Sequence, residues 1–222
     1  MKISNYKNFI IPKLVIKKYL LIIIFIIFQT IPTSIEAKRA AIIIDHETNQ
    51  TLFEVNADTL NYPASLAKMM TLYLTFEALD KGVLNWDQKL KVSEVASSRS
   101  PSKLYLEEGS YITVKDAVMA LIIKSANDVA TVISETLAKS EREFAKKMTK
   151  KARQIGMKNT TYKNASGLPN RAQLTTARDT AILSRAIIND YPQYYKLFKE
   201  EKFSWKGKVF KSHNKLYLLS FD

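Results

Sequence analysis

Apolar runs separated by polar turns predict a helix-rich domain. The most apolar predicted helix after the N-terminal segment runs from about Ser65 to Asp80. It ends at Lys81 and Gly82, a basic last turn followed by a glycine able to adopt left-handed backbone angles. Its large apolar residues cover nearly the whole circumference, which is typical of a central, buried helix. These residues are Leu66, Met69, Met70, Leu72, Leu74 and Phe76.

A second pair of helices is predicted in the middle of the chain. Thr113 and Asp116 form a capping box in which aspartate replaces the usual glutamate. The apolar run Val118–Ile123 follows this box and predicts a buried helix. After the polar corner Lys124–Asp128, helical spacing of apolar residues resumes over residues 129–137.

Two more helices and a hairpin complete the predicted layout. The helices are expected near Ser140 to Gln154 and near Ala177 to Ile188. The strands Ala40–Asp45 and Thr51–Val55 are joined by a polar turn and form a predicted N-terminal hairpin. Because the sequence has no internal repeat and no low-complexity linker, we expect residues 38–222 to form one domain.

The N-terminus has the composition of a secretory signal peptide. Five lysines precede the uninterrupted apolar run Leu20–Phe28, and Ser34–Ala37 is a candidate cleavage site. The apolar run is shorter than the roughly 20 residues that a helix needs to cross a bilayer, so cleavage is favoured over retention as an anchor. We therefore predict that residues 1–37 are a signal peptide and that the protein is exported to the periplasm or cell envelope.

Charge and cysteine content narrow the function further. The chain has no cysteine, which excludes disulfides, thiol catalysis and cysteine-ligated metal sites. Its net charge is +13, of which residues 1–37 contribute +4. The lysines and aromatics between Lys196 and Lys215 superficially fit nucleic-acid binding, but predicted export argues against it. We interpret the basic residues as a solvated face with secondary attraction to anionic wall polymer or membrane surface.

Ser65 and Lys68 lie one helical turn apart and are a candidate nucleophile and base. The same S-x-x-K spacing occurs at three other places, namely Ser4/Lys7, Ser100/Lys103 and Ser212/Lys215. Only Ser65 opens a long apolar helix, where unsatisfied backbone N–H groups can face a developing oxyanion. Burial would lower the pKa of Lys68 and let its neutral amine accept the Ser65 proton. The simpler alternative is a capping serine followed by a lysine whose ammonium reaches solvent.

Ser125 and Asn127 form a second candidate group. They lie at the tight corner between two predicted buried helices, where their side chains are expected to project together. Helix capping by serine, asparagine and aspartate is a common alternative. The same S-x-N pattern recurs at Ser212–Asn214, so sequence position alone does not separate these interpretations. The two histidines, His46 and His213, are too scattered to suggest a triad or a metal site, and no metal or cofactor is predicted.

Together these motifs resemble the serine D-alanyl-D-alanine carboxypeptidases, the low-molecular-mass penicillin-binding proteins with a β-lactamase-like fold. The resemblance runs in the family's order from about residue 40 to residue 216. It implies an α+β fold in which a helical cluster packs on an antiparallel sheet, of which only the N-terminal hairpin is expected here. The blocks that carry it are Pro63–Thr71, Gly109–Val114, Ser125–Asp128, Asn164–Pro169 and Thr175–Asp179.

The resemblance also implies a role for each candidate residue. Ser65 would be the nucleophile that attacks the carbonyl between two D-alanines, and Lys68 would be its general base. Ser125 would relay a proton to the leaving amine, while the Asn127 amide would hold the substrate backbone. The implied substrate is the peptidoglycan pentapeptide, and β-lactam antibiotics would acylate Ser65 as covalent inhibitors.

One motif of the family is missing from the sequence, the K-[ST]-G of a strand that lines the cleft. Lys211–His213 lacks its glycine, and Lys206–Lys208 lacks its hydroxyl. The resemblance is lost over Tyr217–Asp222, so we expect a domain truncated before this strand, with impaired activity and marginal folding. A non-catalytic fragment is therefore one alternative. A serine β-lactamase is another, disfavoured because no E-x-x-L-N segment follows Asn127.

Overall fold

Helices are the most abundant secondary structure in residues 39–214, the part of the chain that this computed structural model describes. Short 3₁₀ turns cover Ala64–Leu66 and Lys196–Lys199. The helices are α1 (Ala67–Asp80), α2 (Glu94–Ser97), α3 (Val114–Lys124), α4 (Asn127–Leu137), α5 (Glu141–Gln154), α6 (Ala177–Asp190) and α7 (Pro192–Tyr195). The strands are β1 (Ala41–Ile44), β2 (Thr51–Val55), β3 (Lys89–Lys91), β4 (Tyr111–Thr113), β5 (Lys202–Trp205) and β6 (Lys208–Lys211).

Side-chain caps begin three of the long helices. The Thr113 hydroxyl accepts the N–H of Asp116 at 3.1 Å, as the capping box predicts. Ser140 and Thr176 cap α5 and α6 in the same way. Each cap satisfies a backbone N–H that has no partner within its helix. The predicted helices are confirmed, and α6 continues to Asp190, two residues beyond its predicted end.

The helix α1 is the centre of the core. Ten of its fourteen residues are buried, and α3, α4, α5 and α6 all pack against it. The prediction of a central, buried helix is therefore confirmed. Its beginning differs from the prediction, because a 3₁₀ turn precedes the α-helix. Ser65 lies in that turn, and Lys68 is the second residue of α1.

The strands form three separate two-stranded antiparallel sheets. The pairing of β1 with β2 confirms the predicted hairpin, which packs against α6. The sheet β3–β4 was not predicted, because strands of three residues are too short to show an alternating pattern. The sheet β5–β6 was not predicted either, and it places part of the basic stretch between Lys196 and Lys215 in a folded hairpin. It packs against α3.

Some predictions concern residues outside the described range. The signal peptide at residues 1–37, the first S-x-x-K match at Ser4 and the loss of resemblance over Tyr217–Asp222 all lie there. The boundaries of the exported domain likewise stay a prediction. Within residues 39–214, no helix combines the length and the apolar character needed to cross a bilayer.

Candidate active site

The candidate nucleophile and base face each other at the start of α1. Ser65 is exposed, whereas Lys68 retains only 3% of its accessible surface. The Lys68 Nζ atom lies 3.5 Å from Ser65 Oγ. Residues three apart in a helix share one face, so this local spacing suffices to bring the two groups together.

A backbone carbonyl fixes the Lys68 amine on its other side. Lys68 Nζ donates a hydrogen bond of 2.6 Å to the carbonyl oxygen of Ser166. Burial of the amine lowers the pKa of Lys68 to about 8, because removal from water disfavours the charged form. Among residues 39–214, no carboxylate forms an ion pair with it. A neutral amine that gives one N–H to Ser166 can point its lone pair toward Ser65.

The loop that supplies this carbonyl packs directly on the Ser65 turn. Gly167 has a φ of +86°, and a Cβ atom there would lie 1.7 Å from the carbonyl oxygen of Ala64. Only glycine fits so close an approach of two backbones. Asn164 Oδ1 accepts the Gly167 N–H at 2.7 Å, and Thr71 Oγ1 donates to the Ala165 carbonyl at 2.7 Å. The loop Asn164–Gly167 is therefore fixed against the first two turns of α1.

The second motif lies at the predicted corner between α3 and α4. Ser125 ends α3 with left-handed backbone angles (φ 55°), and Asn127 begins α4. Asn127 donates its backbone N–H to Ser102 O at 2.7 Å and its side-chain N–H to Ser100 O at 2.9 Å. Within the described chain, the Ser125 hydroxyl makes no hydrogen bond, and no group donates to Asn127 Oδ1. Ser125 Oγ and Asn127 Oδ1 are therefore available to hydrogen-bond a ligand.

The two motifs are not linked to each other by hydrogen bonds. No hydrogen bond between described residues joins Ser125 or Asn127 to Ser65 or Lys68. The helices that carry them do pack together, since α3 and α4 both contact α1. The roles of Ser125 as a proton relay and of Asn127 as a substrate contact stay predictions.

An ion pair links the segments that pack beside the two motifs. Arg99 pairs with the Glu141 carboxylate and also donates to Thr131 Oγ1 at 2.9 Å. Glu141 Oε1 accepts the Ala165 N–H at 3.0 Å. Arg99 directly precedes the segment 100–102 that accepts both Asn127 hydrogen bonds. The pair therefore connects the segment beside Asn127 to the loop beside Lys68. Sequence reasoning missed it because its partners are 42 residues apart.

Glu141→Ala is expected to lower the free energy of unfolding by about 1–3 kcal/mol, because it leaves the partly buried Arg99 and the Ala165 N–H without their acceptor. Urea denaturation of both proteins measures this loss. Glu143→Ala on the same helix is the matched control, since Glu143 and Lys146 are exposed (47% and 63%). Such a surface pair contributes little to stability, because solvent and salt screen it. Equal losses for the two variants would contradict the linking role of Glu141.

Of the other S-x-x-K matches, only Ser100/Lys103 lies wholly within residues 39–214, and it does not form a comparable pair. Lys103 donates to the Ser97 carbonyl at 3.0 Å, and no hydrogen bond joins it to Ser100. Ser212 caps a turn by accepting the Asn214 N–H. No three His, Cys, Asp or Glu side chains of residues 39–214 cluster as metal ligands. His46 contacts the Asn189 side chain at 2.9 Å.

Comparison with known proteins assigns the family. The model of the D-alanyl-D-alanine carboxypeptidase family matches residues 27–221. This chain belongs to that family. This confirms the family that the sequence motifs predict. The match begins inside the predicted signal peptide, and it extends past Leu216, where the resemblance was expected to end.

Individual carboxypeptidase relatives support the assignment. D-alanyl-D-alanine carboxypeptidase DacF of Bacillus subtilis is 39% identical over 69% of this chain and 39% of its own length. DacC of Escherichia coli is 33% identical over 80% of this chain and 46% of its own length. The chain thus spans less than half the length of these two relatives.

Solved structures confirm the fold class. Penicillin binding protein 5 of Haemophilus influenzae is 30% identical, with a TM-score of 0.78 over 84% of this chain and 55% of that chain. Penicillin-binding protein D2 of Listeria monocytogenes, solved in an ampicillin-bound form, is 31% identical, with a TM-score of 0.72 over 84% of this chain and 76% of that chain. The α+β fold of the penicillin-binding proteins is therefore the fold of this carboxypeptidase-family chain.

Proposed function

We propose that this protein is a serine-type D-Ala-D-Ala carboxypeptidase that removes the terminal D-alanine of peptidoglycan stem peptides. The observation that carries this proposal is the exposed Ser65 hydroxyl 3.5 Å from the amine of Lys68. That amine is buried, its pKa is lowered to about 8, and the Ser166 carbonyl orients it. An otherwise weak serine nucleophile gains an adjacent base by this arrangement.

The proposed reaction begins with acylation of Ser65. Neutral Lys68 removes the hydroxyl proton while Ser65 Oγ bonds to the carbonyl carbon between the two D-alanines. The tetrahedral intermediate then breaks its C–N bond, and the leaving amine takes up, through Ser125, the proton that Lys68 had accepted. Water later attacks the resulting ester, which frees the shortened peptide as a carboxylate and returns the proton to Ser65. Two moderate barriers thus replace one high barrier.

Two further groups fit roles in binding and charge stabilisation. Asn127 Oδ1 can accept a substrate backbone N–H, because the other end of this amide is held by Ser100. The Ser65 N–H has no acceptor among the described carbonyls and can donate to the developing oxyanion. Such a donor stabilises the transition state more than the ground state.

The proposed setting is the bacterial cell envelope. Export follows from the N-terminal composition, and the proposed substrate, the peptidoglycan pentapeptide, lies outside the cytoplasmic membrane. β-Lactams are proposed covalent inhibitors, and the ampicillin- and cefotaxime-bound forms of the Listeria relative support this. The chain spans less than half of the DacF and DacC relatives, so we assign the carboxypeptidase activity of these relatives to this protein as a proposal.

Peptide mapping of a penicillin adduct tests the nucleophile. We expect fluorescent penicillin to label the purified protein and the adduct to lie on the tryptic peptide 40–68, whose single serine is Ser65. Ser100 falls in the separate tryptic peptide 100–103, which serves as the internal control. Release of D-alanine from a peptide ending in D-Ala-D-Ala tests the reaction. An adduct on another peptide would refute the nucleophile, and penicillin hydrolysis without D-alanine release would indicate a β-lactamase.

A further inference from the structure

A groove of about 300 Å³ lies beside the candidate nucleophile. One wall is Tyr62–Ala64, the segment that leads into Ser65. The opposite wall is Gly167–Arg171, which continues directly from the carbonyl that holds Lys68. The groove is thus built from the same two segments as the reacting pair. Its volume is at the lower end of the range for ligand sites, about 300–1,000 Å³.

The chemistry of the groove is apolar with one cation at its edge. Pro63 and Leu168 contribute apolar walls, and the Tyr62 side chain is 65% exposed. Arg171 is exposed, and it forms no ion pair or side-chain hydrogen bond with any residue of the described chain. The lining contains no acidic residue. A ligand with an aliphatic part and a carboxylate would match this distribution.

The size of the groove indicates which part of a substrate it takes. A carboxypeptidase of the proposed kind releases a single D-alanine, which is too small to fill a groove of this volume. The rest of the peptide lies on the N-terminal side of the bond that breaks. That acyl portion stays attached to Ser65 in the intermediate, so a groove next to Ser65 is placed to hold it.

We propose that this groove binds the acyl portion of the wall peptide, with its aliphatic part against Tyr62 and a carboxylate on Arg171. This inference rests on the proposed carboxypeptidase function and adds a preference for acidic peptides. Arg171 then acts as a specificity residue that contacts the substrate away from the reacting bond.

The preference can be measured by calorimetry on the Ser65→Ala variant, which binds peptide without turning it over. The probes are acetyl-Glu-Ala-D-Ala-D-Ala and its glutamine counterpart. We expect the glutamate peptide to bind about three- to five-fold more tightly at low salt, the range of an exposed ion pair. Adding Arg171→Gln should equalise the two affinities. Adding Lys163→Gln, an exposed lysine of the same loop that does not line the groove, should leave the preference intact.

Three outcomes would overturn the inference: equal affinities in the Ser65→Ala protein, a preference that survives Arg171→Gln, or no binding of either peptide. The preference should also decline as salt is raised, because exposed charges are screened. The penicillin adduct on peptide 40–68 does not depend on Arg171. A labelled Ser65 without peptide preference would therefore reject the groove and keep the proposed function. Preference for the acidic peptide without labelling would reject the proposed function and would leave the groove as a site for acidic ligands only.

Discussion

Lys68→Arg is expected to lower the rate at which penicillin acylates Ser65 by about 10²–10⁴-fold, the usual contribution of a general base. A guanidinium does not lose its proton at accessible pH, so it cannot accept the Ser65 proton. Lys68 is the only amine that the described chain places within hydrogen-bonding distance of Ser65 Oγ. The measurement is the second-order rate of labelling by fluorescent penicillin. Lys124→Arg is the matched control, since Lys124 lies 5.5 Å from the Phe210 ring, a cation–π contact that arginine can keep.

The pH profile of acylation provides an independent readout of the same base. Lys68 acts in its neutral form, and its pKa is lowered to about 8 by burial. The labelling rate should therefore rise with pH up to about 8 and level off above it. Lys68→Arg should remove this inflection, whereas Lys124→Arg should preserve it. A Lys68→Arg protein that labels at the original rate would refute the assignment.

The lowered pKa of Lys68 also has a consequence for stability. Its ordinary value is 10.5, so the unfolded chain holds this proton more tightly than the folded protein does. Stability from this group is therefore lowest below pH 8 and is regained as pH rises from about 8 to 10.5. Relative to Lys68→Met, the unchanged protein should gain about 2–3 kcal/mol between pH 7 and pH 10. Urea denaturation at both pH values measures this gain, and a constant difference would contradict a lysine buried in the folded state.

Features that depend on neighbouring residues could be predicted from the sequence, whereas features that depend on distant residues could not. The Ser65–Lys68 pair could be predicted because both residues lie within one helical turn. The start of α6, directly after Thr176, could be predicted because a helix cap is a local hydrogen bond. In contrast, Lys68 is oriented by the carbonyl of Ser166, a backbone atom that every residue type carries.

The motif Asn164–Pro169 shows that a resemblance can locate a residue without explaining its structural role. It identified Gly167 as part of a family block but gave no reason for a glycine at that position. The structure supplies the reason, because the Gly167 backbone touches the Ala64 carbonyl across about 100 residues of sequence. The Arg99–Glu141 pair is similar, since only tertiary packing places α5 beside the segment that follows α2.

Gly167→Ala is expected to reduce acylation of Ser65 by about 10²-fold, the typical cost of displacing a reacting group by about 1 Å. The new methyl group would lie 1.7 Å from Ala64 O and 2.4 Å from Ala64 C, so one of the two backbones has to move. Together with the unfavourable φ, this should cost about 2–4 kcal/mol of stability. Displacement would also break the Lys68–Ser166 hydrogen bond and admit water to the amine. The pH inflection of the labelling rate should then move upward from about 8 toward the ordinary lysine pKa of 10.5.

Gly156→Ala separates backbone strain from the collision at the site. Gly156 has a φ of +96°, but a Cβ atom there would meet nothing within 4 Å. Its replacement should cost only about 1–2 kcal/mol for the left-handed backbone and should leave both the labelling rate and the inflection near pH 8 unchanged. If Gly167→Ala behaved like Gly156→Ala in all three measurements, contact between the loop Asn164–Gly167 and the Ser65 turn would not position the base. A shift of the inflection in Gly167→Ala alone would show that this contact orients the Lys68 amine and excludes water from it. Backbone strain without a collision, as in Gly156→Ala, would not change the environment of the amine.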